Sequence, residues 1–146
     1  MDHIQQFWKD YCNVHHMEGI EYKEAFQFGV APDWLADLVV KGKKKATTSG
    51  FVFYALENEA LPQIGDYSIV LNGQDEPVAI IQSQSVEVIP MNEVTEEFAL
   101  AEGEGDYQHW WDSHETFFTQ LLKEYEREFE PSMLVVCERF KKVYPK

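Results

Sequence analysis

The chain has 146 residues and is 45% hydrophobic and 14% aromatic, which suits one globular domain over residues 1–146 rather than a disordered segment. Its formal net charge of −14 excludes a protein that coats or slides along long duplex DNA, because that affinity comes from lysines and arginines releasing counterions. No apolar run reaches the roughly 20 residues of a membrane span, the first residues lack a signal peptide's basic and apolar regions, and Cys12 and Cys137 read as buried free thiols, so the expected setting is cytoplasmic.

In chain order, Ile4, Phe7, Trp8, Tyr11 and Cys12 recur at helical spacing after Asp2, which predicts an amphipathic helix over 3–15 with Asp2 as its N-cap. Tyr22 to Gly29 reads as irregular chain or a short strand. Pro32 and Asp33 open a second helix whose buried face is Trp34, Leu35, Leu38 and Val39, and Gly42 suits the left-handed position that ends it. Thr47 and Thr48 favour a strand, whereas Phe51 to Glu59 fits either helix or strand. Pro62 and Gly65 turn the chain into a strand from Tyr67 to Leu71, Asn72-Gly73 signals a hairpin, and the return strand runs from about Val78 to Ile89. A helical pattern resumes after Asn92 and breaks at Glu102-Gly103-Glu104-Gly105-Asp106. These acids lack the spacing of a Ca²⁺ loop, so the block reads as a flexible joint with Asp106 capping the next helix. That helix, over about 107–129, puts Trp110, His114, Phe117, Phe118, Leu121 and Tyr125 on one stripe. A final strand, Met133 to Tyr144, closes the chain.

Scarce positive charge is concentrated at Lys41, Lys43, Lys44 and Lys45, immediately before the hydroxyl residues Thr47, Thr48 and Ser49. Neighbouring cations disfavour one another's protonation, so Lys44 is a candidate general base for Thr47, or an anion clamp in its charged form. Solvated lysines at a helix C-terminus are the bland alternative. Side chains alternate along a strand, so Lys44 and Thr47 converge only if Lys44 lies in the turn and Thr47 in the strand that follows. His114, between Trp110 and Phe118, reads as a core or cleft-edge histidine. Trp111, off the apolar stripe, is a candidate for stacking on a base.

Gly42-x-Lys44-x-x-Thr47 resembles the G-x-K-x-x-T signature of the ASCH domain family. Leu61-Pro62-x-x-Gly65-Asp66-Tyr67, the acidic-glycine block and Trp110-x-x-x-His114-x-x-Phe117-Phe118 resemble its larger bacterial branch over nearly the whole chain. The resemblance implies an α+β fold, a small PUA-like β-barrel decorated by several helices, with a cleft beside the lysine loop. It implies a nucleoside, nucleotide or short single-stranded RNA as partner, bound through Gly42, Lys43, Lys44, Lys45, Thr47, Thr48, Ser49, Gln82, Trp111 and His114, with no cofactor and no metal. Some ASCH proteins are amidohydrolases of N4-acylated cytidine, which implies a lysine–threonine–glutamate set. Lys44 and Thr47 match its first two members, and Gln82 stands where the glutamate is expected, with Glu87 a poor substitute on the other strand face. A glutamine does not exchange a proton as a carboxylate does, so binding is the favoured expectation and hydrolysis the alternative. Metal-independent RNA cleavage is a weaker one. Oligomeric state is not legible.

Overall fold

A computed structural model describes residues 2–29 and 31–146. Its elements are α1 (His3–Val14), β1 (Glu24–Gln27), α2 (Pro32–Val40), β2 (Ala46–Gly50), α3 (Phe51–Leu56), β3 (Tyr67–Leu71), β4 (Pro77–Pro90), α4 (Glu96–Ala101), α5 (Tyr107–Lys123) and β5 (Leu134–Tyr144). The strands form one mixed sheet in the order β1-β3-β4-β5-β2, curled into a half-barrel with helices packed on it. This is the α+β architecture expected. The curl has a local cause. β4 pairs with β3 from Pro77 to Gln82 and with β5 from Ile80 to Pro90, and register shifts near Ile80 and Ser83 bend it around the overlap.

The expected boundaries largely hold. Asp2 caps α1 by accepting from the Gln5 amide at 2.8 Å, and Thr95 and Asp106 cap α4 and α5 in the same way. Phe51 to Leu56 resolves as a helix, because Phe53 packs into the core beneath β2 and β5. The long helix α5 stops at Lys123 rather than near residue 129.

Three apolar groups hold the layers together. α1 lays Trp8 and Tyr11 against Ile69, Leu71 and Ile80 on one face of the sheet. α2 packs Leu35, Leu38 and Val39 against Val70, Ile81 and Phe140 on the other. α3, α4 and α5 cover Ala46, Val135 and Cys137 with Phe53, Phe98, Trp110 and Phe118. Cys137 and Cys12 are free, Cys137 buried and Cys12 only partly so. Among the described residues no helix is long and apolar enough to cross a membrane.

Candidate functional site

α2 ends as its sequence dictates, and the ending aims Lys44. Gly42 takes a φ of 75°, and the amides of Lys43 and Lys44 both turn back to the Leu38 carbonyl, at 2.9 and 3.1 Å. Lys45 then donates to the Ala101 carbonyl at 2.8 Å, tying the loop to the end of α4. The result separates the lysines. Lys41, Lys43 and Lys45 are exposed, whereas Lys44 is 3% exposed. Its ammonium lies 3.2 Å from Glu102 Oε1 and 2.7 Å from Glu104 Oε2, and 5.1 Å above the centre of the Phe28 ring. The partners of Lys44 are thus carboxylates and an aromatic face, not neighbouring lysines. The solvated alternative therefore fails for Lys44 and holds for Lys41, Lys43 and Lys45.

Glu102 is the centre of the site and is 1% exposed. Its second oxygen accepts from the Thr48 hydroxyl at 2.6 Å and from the Trp110 indole N–H, and lies 3.5 Å from His114 Nε2. His114 Nδ1 bonds the Trp110 carbonyl at 2.7 Å; a carbonyl only accepts, so Nδ1 carries the proton and Nε2 faces the carboxylate. Every buried polar side-chain atom among the described residues has a partner. The acidic-glycine block is therefore not a flexible joint. Gly103 takes a φ of 76°, and a Cβ there would sit 2.5 Å from the Lys43 carbonyl oxygen, so the block crosses the lysine loop at a separation only glycine permits.

Beside this network opens a cleft of about 650 Å³, walled by Phe28, Trp34, Thr47, Thr48, His114 and Phe117 with Lys44 and Glu102 among its lining. Trp34 is 48% exposed and forms part of that wall, rather than the buried face of α2 expected of it. Thr47 and Thr48 are successive strand residues, and alternation sends them different ways. Thr48 bonds Glu102, and Thr47 stands opposite Glu138 of β5 in the strand register. Thr47 lines the main cleft and also a chamber of about 30 Å³ with Ser83 and Glu138, where the Ser83 hydroxyl donates to Glu138. Burial pushes the Glu138 carboxyl above the ordinary range, against the opposing pull of the Ser83 hydrogen bond.

The structure thus brings Lys44, Thr47, Thr48 and His114 to one cleft. It sends other predicted residues elsewhere. Gly42, Lys43 and Lys45 shape the loop from its exposed side. Ser49 bonds the Tyr54 hydroxyl at 2.8 Å in an adjoining cavity of about 530 Å³. Gln82 faces away from the cleft, with its amide 3.4 Å from the Gly65 carbonyl, because the strand alternates and Ser83 takes the inward position. Glu87 is exposed despite the bulge before it. Trp111 packs, partly buried, on the core beneath α4 and α5, and it is absent from the cleft wall. The carboxylate beside Lys44 comes from Glu102, with Glu104, in the segment between α4 and α5 and not from β4, which carries Gln82. Trp34, Glu102, Glu104 and Glu138 were missed as site residues. The sequence offers little signal for them: Glu102 and Glu104 flank a single glycine, and Glu138 directly follows the apolar run Leu134 to Cys137 of the last strand. No group of three or more His, Cys, Asp or Glu side chains among the described residues is arranged to hold a metal.

A half-barrel with a lysine-bearing loop and a buried carboxylate at its cleft defines the class. The family model described as the ASCH domain matches residues 24–144, and the chain belongs to that family. A crystal structure of a protein from Enterococcus faecalis V583 is 38% identical, with 97% of this chain and 88% of that one covered and a TM-score of 0.88. An ASCH domain from Lactobacillus crispatus JV V101 is 32% identical over 99% of this chain and 96% of that one, at a TM-score of 0.91. ASCH from Zymomonas mobilis, 12% identical over 84% of this chain and 71% of that one, shares the fold at a TM-score of 0.53. No curated protein matches the chain significantly.

Proposed function

We propose that the cleft binds a base-bearing ligand, a nucleoside, a nucleotide or the end of a short single-stranded RNA. The observation that carries this is Trp34, a large aromatic left half exposed in the wall of a cleft whose other lining includes Lys44, Glu102 and His114. Ligand sites of roughly 300–1,000 Å³ combine apolar walls with a few placed polar groups in this manner, and a base stacks on an aromatic face whatever its identity. Lys44 serves as a fixed donor that holds Glu102 and Glu104 in place, not as a phosphate clamp, since two carboxylates already surround its ammonium. A cytoplasmic setting belongs to this reading and suits the free thiols. Calorimetric titration with cytidine, adenosine and their 5′-monophosphates, on the wild type and Trp34→Ala, tests it. Binding that weakens in the variant supports the reading; no binding by the wild type removes it.

A second reading has its own observation. The lysine–threonine–glutamate set that the family resemblance implies acquires its carboxylate from Glu102, in the cleft that Lys44 and Thr47 also line. We propose Glu102 in place of Gln82 as that carboxylate, and hydrolysis of an N4-acylated cytidine as the alternative function, with Thr47 as nucleophile and the Lys44–Glu102 pair as the proton-handling group. Release of cytidine from N4-acetylcytidine, lost in Thr47→Ala and Lys44→Ala, is the outcome it requires.

A further inference from the structure

The small chamber beside Thr47 has no part in the arrangement described so far. Its volume of about 30 Å³ admits one small polar group. Lys23, Glu24, Thr47, Asp66, Ser83 and Glu138 are among its walls, and Thr47 also lines the main cleft, which places the chamber next to that cleft. Glu138 is opposite Thr47 in the β2–β5 register, which puts both side chains on one face of the sheet. Ser83 donates to Oε2 of Glu138, and an ionised carboxylate accepts about four hydrogen bonds, so acceptor capacity remains. Among the described residues no lysine or arginine forms an ion pair with Glu138. Lys23 also lines the chamber and its charge acts on Glu138, but no ion pair joins the two, so the strand has placed an acceptor with spare capacity beside Thr47.

We infer that this chamber receives the exocyclic amino group of a nucleobase, with the Glu138 carboxylate as its acceptor, making Glu138 a specificity-determining residue for cytosine- or adenine-bearing ligands. The inference rests on the reading of the main cleft as a nucleoside site. Its chemistry is complementarity of donors and acceptors. An amino group offers N–H donors to a carboxylate that only accepts, whereas the carbonyl of uracil or hypoxanthine at that position sets one acceptor against another. The chamber's size enforces the choice, because a single substituent enters and the ring stays in the cleft.

Titration of the purified protein with cytidine, uridine, adenosine and inosine tests this. The wild type should bind cytidine over uridine and adenosine over inosine by about tenfold or more, the discrimination one good base-edge contact supplies. In Glu138→Gln, whose amide both donates and accepts, each ratio should fall toward one. Ratios unchanged in the variant, or no preference in the wild type, overturn the inference while leaving the cleft as a nucleoside site. If none of the four binds, the reading of the cleft falls and the inference with it. Should Glu138→Gln not fold, the wild-type ratios decide.

Discussion

The Lys44 ammonium lies 3.2 Å from the Glu102 carboxylate, with each side chain 2% exposed. Glu104 completes the cluster at 2.7 Å from its more accessible position. Removing one partner of a buried pair strands the other, at a cost of about 3–5 kcal/mol. Lys44→Met should therefore destabilise the fold by that order in urea denaturation, and Glu102→Gln added to it should recover part of the loss. An unchanged midpoint in the single variant would mean that the pair does not hold the loop.

Gly103→Ala tests the crossing of the two loops. A methyl there meets the Lys43 carbonyl, and alanine resists a φ of 76°, so both backbones have to shift. The cost should be about 2–3 kcal/mol, at the upper end for a strained backbone position, and ligand binding should weaken with it because Glu102 and Glu104 flank this residue. Gly73→Ala, which meets only the end of the Asp33 side chain, should cost less.

Trp34→Ala separates binding from stability. The side chain is 48% exposed, so the melting temperature should change little, while the affinity for a nucleoside should fall by about 1–3 kcal/mol, the worth of one stacked base. Trp110→Phe should do the reverse. It removes an indole N–H from the buried Glu102 carboxylate and lowers stability by about 1–3 kcal/mol.

Glu138 makes stability depend on pH in a defined direction. Its carboxyl titrates above the ordinary value of 4.5 in the folded protein, chiefly through burial. Ser83 and Lys23 pull the other way, Glu24 and Asp66 push with the burial, and Thr47 and Tyr54 complete the walls. Between the unfolded and folded values the native state holds more protons than the unfolded chain, so stability falls as pH rises through that window and stays lost above it. Glu138→Gln has no such loss. The stability of the variant relative to wild type should thus be flat below about pH 4, grow as pH rises through the window, and level off above it. A difference that does not vary with pH contradicts the buried carboxyl.

Much of this fold was legible from local chemistry. Asp2, Pro32 and Asp106 mark helix starts, Gly42 marks a helix end, and Tyr67 to Leu71 is a strand over the residues expected. These features depend on a few neighbouring residues, and the sequence contains those. The site depends on pairs far apart in the chain. Lys44 and Glu102 are brought together only when the sheet curls and α4 docks on the lysine loop, and nothing near Glu102 distinguishes a buried acid from one in a solvated turn. Trp34 illustrates the same limit, since its helical spacing matches the apolar face of α2 and only the position of the cleft leaves it uncovered. Gln82 and Ser83 differ by one residue, and strand alternation alone decides which faces inward.

The most direct test of the nucleoside-binding cleft is a ¹H–¹⁵N correlation spectrum recorded while cytidine is added. The four tryptophan indoles are internal reporters. The signals of Trp34, in the cleft wall, and Trp110, bonded to Glu102, should shift together with the amides of Thr47, Thr48 and His114. Those of Trp8, under α1, and Trp111, on the core beneath α4 and α5, should stay in place. A spectrum that does not respond, or one in which Trp8 moves and Trp34 does not, would contradict the account.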